Sequence, residues 1–459
     1  MNGLIGMNLP NYFLADLPSE ATLSAAMIGE ACATLKRNRA RYLAERPTDN
    51  LVRLLSRVAE EWLQPENLFR KLALEVGPAQ TGFGRATLAN GLDSFFRQVT
   101  RDNLHALLSQ DLGNTRRLDE FAAEASDKRS PRAAMAIGPE FLVHIAAGNI
   151  PNPTLTSLVV GLLTRSAQFV KCGSGTSLLP RLFAHSIYEA DGKLGACLEV
   201  ADWRGGNVEL ESALFEQADC VTATGSDETL AAICAKLPTR TRFLGYGHRL
   251  SFGYVASEVL FGPNAGRILA DAAEDVVAWN QQGCLSPHVF YVQPGGDVMP
   301  RRFAELLAGE LEQREVSEPR GELPVDSAAN IASRRAIHEV RAAHSPGTFV
   351  WHSKNSTAWT VVYEEDARFQ TSCLNRFIYV KPVRDLSEAL QHADVVRGQV
   401  STVGLAASPR EVQSLATQLA RWGVTRICPL GQMQNPPLTW RHDGRPALGD
   451  LVTWADFEQ

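Results

Sequence analysis

The sequence holds no Cys-x-x-Cys pair, no His-Glu-x-x-His spacing, no His/Cys cluster and no block of Lys or Arg. Its longest apolar candidate, Leu155 to Leu163, is the size of a strand or short helix, well below the roughly 18 residues of a spanning helix. Eight cysteines are scattered at positions 32, 172, 197, 220, 234, 284, 373 and 428. That pattern excludes a zinc knot and a disulfide framework and suits reduced thiols in a cytoplasm. A formal net charge of −6 excludes nucleic acid as a main partner, because phosphate binding needs a basic surface. The start, Met1 to Pro10, has neither the basic head nor the apolar run of a secretory signal. The expectation is a cytoplasmic protein with no membrane span and no metal.

What is present is a chain of 459 residues, 45% hydrophobic and 21% charged, enough for two or three domains with a large core. The first 130 residues read as helical. Residues 24–37 and 51–62 carry apolar side chains at three- and four-residue spacing, and 88–108 do so less regularly. The charged stretch Asp119 to Arg132 is expected to be a connector.

From Ala133 the pattern becomes strand, Gly/Ser turn, helix. Strands are expected at 141–147, 167–171, 219–223 and 242–244. They end at Gly148-Asn149-Ile150-Pro151, Cys172-Gly173-Ser174-Gly175-Thr176, Thr224-Gly225-Ser226 and Gly245-Tyr246-Gly247-His248. With helices at 178–189 and 227–236, this order argues for a doubly wound α/β domain, whose ligands bind beyond the carboxyl ends of the strands. A second α/β segment is expected from about 255 to 395, with strands at 286–292, 348–352, 357–363 and 377–380 and an exposed loop at 310–323. The tail offers an amphipathic helix at 409–422, a strand at 426–430 and a Pro/Gly-rich coil to about Trp454. The domains expected are thus 1–130, 131–254, 255–395 and 396–459. The last is expected to return to the second domain or to serve an oligomer interface.

Cys284, in Asn280-Gln-Gln-Gly-Cys-Leu-Ser-Pro-His, is the sharpest chemical feature. The preceding glycine admits close approach of a substrate, an adjacent N–H can face an oxyanion, and a thiolate attacks carbonyls and thioesters readily. The alternative is a small buried hydrophobe. Asn149 can donate to an oxyanion from a strand end, or be an ordinary turn asparagine beside proline. Lys171, followed by Gly173 and Ser174, could hold ribose hydroxyls or phosphate, or be a lysine before a flexible turn. Gly225 and Ser226 could meet a pyrophosphate or form a plain helix N-cap. His248 is a candidate for acid–base work. The tail Leu438-Thr-Trp-Arg-His-Asp-Gly-Arg-Pro is either a binding surface or a packed terminus.

In sequence order, Asn149, Lys171, Gly225-Ser226, a Gly-x-Gly turn and Gly283-Cys284 resemble the aldehyde dehydrogenase superfamily. Three stretches, Ala147-Gly-Asn-Ile-Pro, Gly245-Tyr-Gly-His-Arg-Leu-Ser-Phe and Ile427-Cys-Pro-Leu-Gly-Gln-Met-Gln-Asn-Pro-Pro-Leu-Thr-Trp-Arg-His-Asp-Gly, resemble the LuxC-type long-chain acyl-CoA reductases. The resemblance runs from about residue 130 to the C-terminus. It implies an α/β aldehyde-dehydrogenase-like fold: a helical N-terminal segment, a doubly wound dinucleotide-binding domain and a catalytic α/β domain carrying the cysteine. It further implies Cys284 as nucleophile, Asn149 with the Cys284 N–H as the oxyanion hole, and Lys171 on the adenosine ribose. Gly225 and Ser226 would stand beside the cofactor phosphate and nicotinamide, with Gly173, Ser174, Gly245 and Gly247 in the same cofactor turns.

Two departures from the superfamily matter. The stretch Thr241-Arg-Phe-Leu-Gly-Tyr-Gly lacks the glutamate that activates water in hydrolytic relatives, and Thr371-Ser-Cys-Leu-Asn-Arg-Phe lacks the one that holds the nicotinamide ribose. The expected reaction is therefore reduction of an acyl-CoA or acyl-protein thioester to a fatty aldehyde through an acyl-cysteine. Acyl transfer without redox and oxidation of an aldehyde are the alternatives. Ser174 stands where NAD-preferring relatives often place a glutamate, so NADPH is expected, with NADH possible. An acyl-protein synthetase or transferase is an expected partner, and a homo-oligomer the expected assembly.

Overall fold

The computed structural model describes residues 9–18, 20–123 and 132–458; most of the expected connector, 124–131, lies outside them. Strands run in chain order β1 (Arg132–Ile137), β2 (Phe141–Ile145), β3 (Ala167–Cys172), β4 (Leu198–Asp202), β5 (Cys220–Thr224), β6 (Arg242–Tyr246) and β7 (Leu250–Val255). They continue with β8 (Pro287–Val292), β9 (Thr348–His352), β10 (Thr360–Glu364), β11 (Phe377–Pro382), β12 (Val400–Ala406), β13 (Arg426–Pro429) and β14 (Thr453–Glu458). The chain divides into two units. Residues 1–81, 92–247 and 437–459 form the first, and residues 82–91 and 248–436 the second.

In the first unit, β2 to β6 make a parallel sheet in the order β4-β3-β2-β5-β6. The chain lays β3 and β4 on one side of β2, then returns to place β5 and β6 on the other. A topological switch point therefore lies at the carboxyl ends of β2 and β5. Near-continuous apolar strands such as Phe-Leu-Val-His-Ile follow from burial of both sheet faces. On one face Phe141, Val143 and Phe169 pack with Ile28, Cys32 and Leu35 of the helix Ala25–Tyr42 and Leu210 and Leu214 of the helix Val208–Phe215. His144, the polar member of β2, meets Thr222 Oγ1 at 2.7 Å and Gln168 Oε1 at 2.9 Å. Burial pushes its pKa down to about 4. The expected helices of the N-terminal part are present, Trp62 stacking on Phe96 and donating to Ser186 at 2.8 Å. β1 and β14 pair as a separate antiparallel ribbon.

In the second unit seven strands lie in the order β13-β12-β7-β8-β11-β10-β9, parallel except for β9 against β10. Phe290, Val361 and Val380 face the helices Pro263–Val277 and Pro300–Ser317, while Tyr254, Tyr291, Tyr379 and Val403 fill the opposite layer.

Four expectations need correction. Residues 250–255 form a strand inside the second sheet, so the division falls after Gly247 instead of at 254. The tail is not one segment: β12, the helix Val412–Trp422 and β13 complete the second sheet, and only residues from Pro437 join the first unit. The exposed loop expected at 310–323 is helical up to Ser317. Its Glu, Leu, Gln and Arg residues favour helix, and Leu311 anchors one face in the core. The C-terminal coil ends in β14, whose partner lies more than three hundred residues upstream and leaves no local signal. Among the described residues no helix is long and apolar enough to cross a membrane, and no cluster of His, Cys, Asp and Glu could hold a metal ion.

Candidate active site

The first unit gathers eight of the expected site residues at the carboxyl edge of one sheet. Asn149 follows β2 and is exposed; Lys171 lies in β3, with Gly173 and Ser174 just after it; Gly225 and Ser226 follow β5; Gly245 lies in β6 and Gly247 just beyond it. Lys171 is only 6% exposed, and its Nζ lies 5.5 Å from the ring centre of Trp203, in the turn after β4. Burial pulls the lysine pKa down, opposed by Glu211, Cys172 and Asp202. It makes no ion pair among the described residues: the Glu211 carboxylate accepts instead from Gly206 N and Lys236 Nζ, both at 2.7 Å. The buried Trp203 indole N–H has no partner among the described residues. A buried cation and an unmatched donor side by side at strand ends fit the ribose and phosphate oxygens of a dinucleotide. Trp203 carried no signal in sequence, since an indole is core by default.

Ser226 forms the plain N-cap left open above. Its hydroxyl accepts from Thr229 N–H at 3.3 Å, and Asp227 and Glu228 occupy the first turn of that helix. Those carboxylates already complement the helix dipole and disfavour a phosphate there. The helix Asn152–Leu163, after Asn149, has no side-chain cap and no acid in its first turn. Gly247 lies close to Asp227: a Cβ there would stand 2.4 Å from Asp227 Oδ1 and would push that carboxylate aside. A carboxylate thus stands beside the Gly-Tyr-Gly turn, although β6 supplies none and the strand motif carries no sign of it. The Arg/Trp-rich tail packs here: Arg445 donates to Gly245 O at 2.8 Å and stacks over Tyr246, which also stacks on His442.

Cys284 and His248 belong to the second unit. Cys284 is half-buried in the turn before β8, closed by Ser286 N–H donating to Gly283 O at 3.0 Å. Its carbonyl accepts from Ser251 Oγ of β7 at 2.8 Å. The approach to this turn is strained: Trp279, Asn280 and Gln281 all have left-handed backbone, with φ of 51°, 51° and 60°. Such non-glycine residues cost about 1 kcal/mol or more each and persist only where surroundings over-determine them. Here a second left-handed triplet, Leu374-Asn375-Arg376, interlocks with the first. Asn375 N–H donates to Asn280 O at 2.9 Å, Arg376 Nε to Asn280 Oδ1 at 3.0 Å, and Gln282 Nε2 to Asn375 Oδ1 at 3.2 Å. Gln281 Nε2 spans the carbonyls of Pro287 and Phe377 at 2.8 and 3.1 Å. None of these locks was legible in the Gly-Cys motif. His248 is exposed, and its charge helps lower the pKa of His288, which burial above all pushes down to about 4.

The acyl-CoA reductase (LuxC) family profile matches residues 43–454. Among curated proteins, the long-chain acyl-protein thioester reductase of Aliivibrio fischeri is 24% identical over 78% of this chain and 71% of its own length. The enzyme of the same name from Vibrio harveyi is 21% identical over 91% of this chain and 84% of its own. Solved structures share the fold. A bifunctional proline utilization A protein gives a TM-score of 0.71 at 15% identity, covering 96% of this chain and 45% of its own length. An NAD-dependent benzaldehyde dehydrogenase from Corynebacterium glutamicum gives 0.69 at 14% identity, covering 95% of this chain and 91% of its own. With the profile spanning most of its length and an aldehyde-dehydrogenase fold beneath it, the chain belongs to the LuxC family of acyl-CoA reductases.

Proposed function

We propose that this chain reduces a long-chain acyl thioester, carried by CoA or by a protein, to an aldehyde, with Cys284 as nucleophile and NADPH as reductant. Family membership supplies the reaction class, and the turn 283–286, which presents a half-buried thiol on a firmly tied backbone, carries the assignment of the nucleophile. The Cys284 thiolate attacks the thioester carbonyl, and a new C–S bond forms. The tetrahedral oxyanion then collapses and expels the carrier thiolate, which takes a proton from solvent. Asn149 and the Cys284 N–H are the donors to that oxyanion; one such donor is commonly worth about 3 kcal/mol of barrier. When bound, NADPH supplies the hydride that converts the acyl-cysteine to a thiohemiacetal. Expulsion of the Cys284 thiolate then releases the aldehyde, and His248 is the candidate for relaying the proton.

Lys171 and the Trp203 indole would hold the adenosine ribose, with Gly173, Gly225, Ser226, Gly245 and Gly247 framing the cofactor. Ser174, exposed beyond β3, sets no carboxylate against a 2′-phosphate, which favours NADPH over NADH. The relatives are named long-chain acyl-protein thioester reductases, which favours a protein-bound donor; a synthetase or transferase is the partner we infer to deliver it. A homo-oligomer is supported by the β1–β14 ribbon, which exposes Ile137, Trp454 and Phe457. The scattered cysteines support a cytoplasmic site of action.

The test follows NADPH absorbance across a ladder of acyl-CoA lengths, with NADH in parallel and a trap for the aldehyde. Consumption peaking at one chain length should fall on the order of 10³-fold or more in Cys284→Ala. A Cys284→Ala protein that keeps its activity sinks the mechanism. An acyl mass on Cys284 without NADPH consumption points to acyl transfer instead.

A further inference from the structure

The tail motif Gly431-Gln432-Met433-Gln434 lies, in the second unit, against the nucleophile turn. Two buried ionisable side chains grip its backbone. Asp275, in the helix Pro263–Val277, accepts from Gly431 N at 2.6 Å and Met433 N at 2.8 Å. Arg426, on β13, donates to Met433 O at 2.6 Å and Gln432 O at 2.7 Å. The backbone N–H and C=O groups of the loop are thus fixed by a carboxyl and a guanidinium that are themselves 1% and 7% exposed. The next residue, Gln434, is 6% exposed, and its Nε2 donates to Ser286 Oγ, the last residue of the Cys284 turn. Its amide also lies flat on Gly283: a Cβ there would meet Gln434 Nε2 at 2.5 Å, Oε1 at 2.7 Å and Cδ at 2.9 Å. A side chain at Gly283 would therefore force this buried amide to shift away from Ser286, which gives the Gly-Cys pair a reason beyond substrate access.

We propose that Gln434, held by the Asp275–Arg426 clamp, is a positioning residue for Cys284: it fixes the 283–286 turn so that the thiol and its N–H keep the orientation that acyl transfer needs. Ser251 ties the Cys284 carbonyl from β7 at 2.8 Å, and Gln434 ties the far end of the turn from the tail, so the nucleophile is held from two directions. A displacement on the order of 1 Å in such a frame can cost about 10²-fold in rate. This inference rests on Cys284 as the acyl acceptor, and the test separates the two claims.

Two rates at Cys284 are compared by peptide mass, in wild type and in Gln434→Ala, Gln434→Met and Ser286→Ala. One is acylation by the acyl-CoA that loads the wild-type chain fastest; the other is alkylation by iodoacetamide. Exposed Cys234 serves as an internal clock for the alkylation, and buried Cys32, Cys172, Cys197 and Cys220 report any general opening. Positioning predicts that acylation falls about tenfold or more in Gln434→Ala, while the Cys284/Cys234 alkylation ratio changes by less than about threefold, since alkylation by a small reagent needs little orientation. Gln434→Met, which keeps the packing on Gly283, should recover part of the acylation. Ser286→Ala should fall between, and it decides the matter if Gln434→Ala does not fold. Acylation within twofold of wild type in the folded variants overturns the proposal, as does a parallel loss of both rates. A wild-type chain that takes no acyl group on Cys284 removes the proposed function and leaves the alkylation comparison readable.

Discussion

Arg376 and Lys171 are both buried cations, at 0% and 6% exposure, yet the two units treat them differently. Arg376 bonds to Asn280 Oδ1 at 3.0 Å and to Glu315 Oε2 and Glu318 O, both at 2.9 Å. Burial still pulls its pKa down to about 10, against the pull of Glu315 and Glu318. Lys171 has an aromatic face beneath it and no ion pair among the described residues. Burying a charge is costly unless it is paired and hydrogen-bonded. One cation therefore holds its surroundings together, while the other is kept under tension, as suits a group awaiting an anionic or hydroxyl-bearing ligand. The same division separates the two halves of the proposed site: in the second unit a strained turn is locked by partners, and in the first unit polar groups stand at strand ends.

Removing the cation from each unit should break this comparison if it is wrong. Arg376→Leu should cost about 3–5 kcal/mol, because it strands Asn280 Oδ1 and the Glu318 carbonyl in the interior. Thermal and denaturant unfolding read this directly, and a loss below 1 kcal/mol would mean that the left-handed triplets do not depend on the guanidinium. Lys171→Met should act in the opposite sense, leaving the melting temperature unchanged or raised because a desolvated charge is gone. NADPH affinity should fall about tenfold, which is about 1.4 kcal/mol, read as loss of the NADPH-induced thermal shift. A marked destabilisation would class Lys171 with Arg376 as a structural cation.

The contrast also explains what could be read from the sequence. Parallel strands buried on both faces announce themselves as apolar runs, and their Gly/Ser ends mark where ligands bind; this is how Asn149, Lys171, Gly225 and Ser226 could be placed at strand ends. The locks around Cys284 could not be read, because Gln281, Asn375, Arg376 and Gln434 are polar residues whose meaning depends on partners about a hundred or more positions away. Strand β7 went unread because Leu-Ser-Phe-Gly-Tyr-Val mixes small polar residues into a buried strand. Its Ser251 serves both the Cys284 carbonyl and Thr402 N–H, and Gly253 leaves room for the Phe290 ring. The helix over 310–317 was obscured by its charge, a surface property that says nothing about backbone conformation.

The finest form of the comparison lies in one buried acid from each unit. Burial pushes Glu199 and Asp275 both up to about 8, against two backbone N–H bonds apiece. Glu199 accepts both with one oxygen, from Leu14 N at 2.7 Å and Val200 N at 3.0 Å, whereas Asp275 uses one oxygen for each. A neutral acid raised above its unfolded value holds a proton that the unfolded chain has lost. Its stabilisation is thus full below about pH 4 and declines as pH rises towards 8. Glutamine reproduces the single accepting oxygen of Glu199, so Glu199→Gln should remove part of that slope, with wild type losing ground to the variant between pH 5 and 8 by on the order of 1 kcal/mol or more. Asparagine cannot reproduce both oxygens of Asp275. Asp275→Asn should turn an N–H donor against a backbone N–H and cost about 1–3 kcal/mol near pH 5, a cost that shrinks as wild type loses its proton-linked stability towards pH 8. Melting temperatures of the three proteins across that range check both statements. A Glu199→Gln difference independent of pH would mean that Glu199 is ionised in the folded chain.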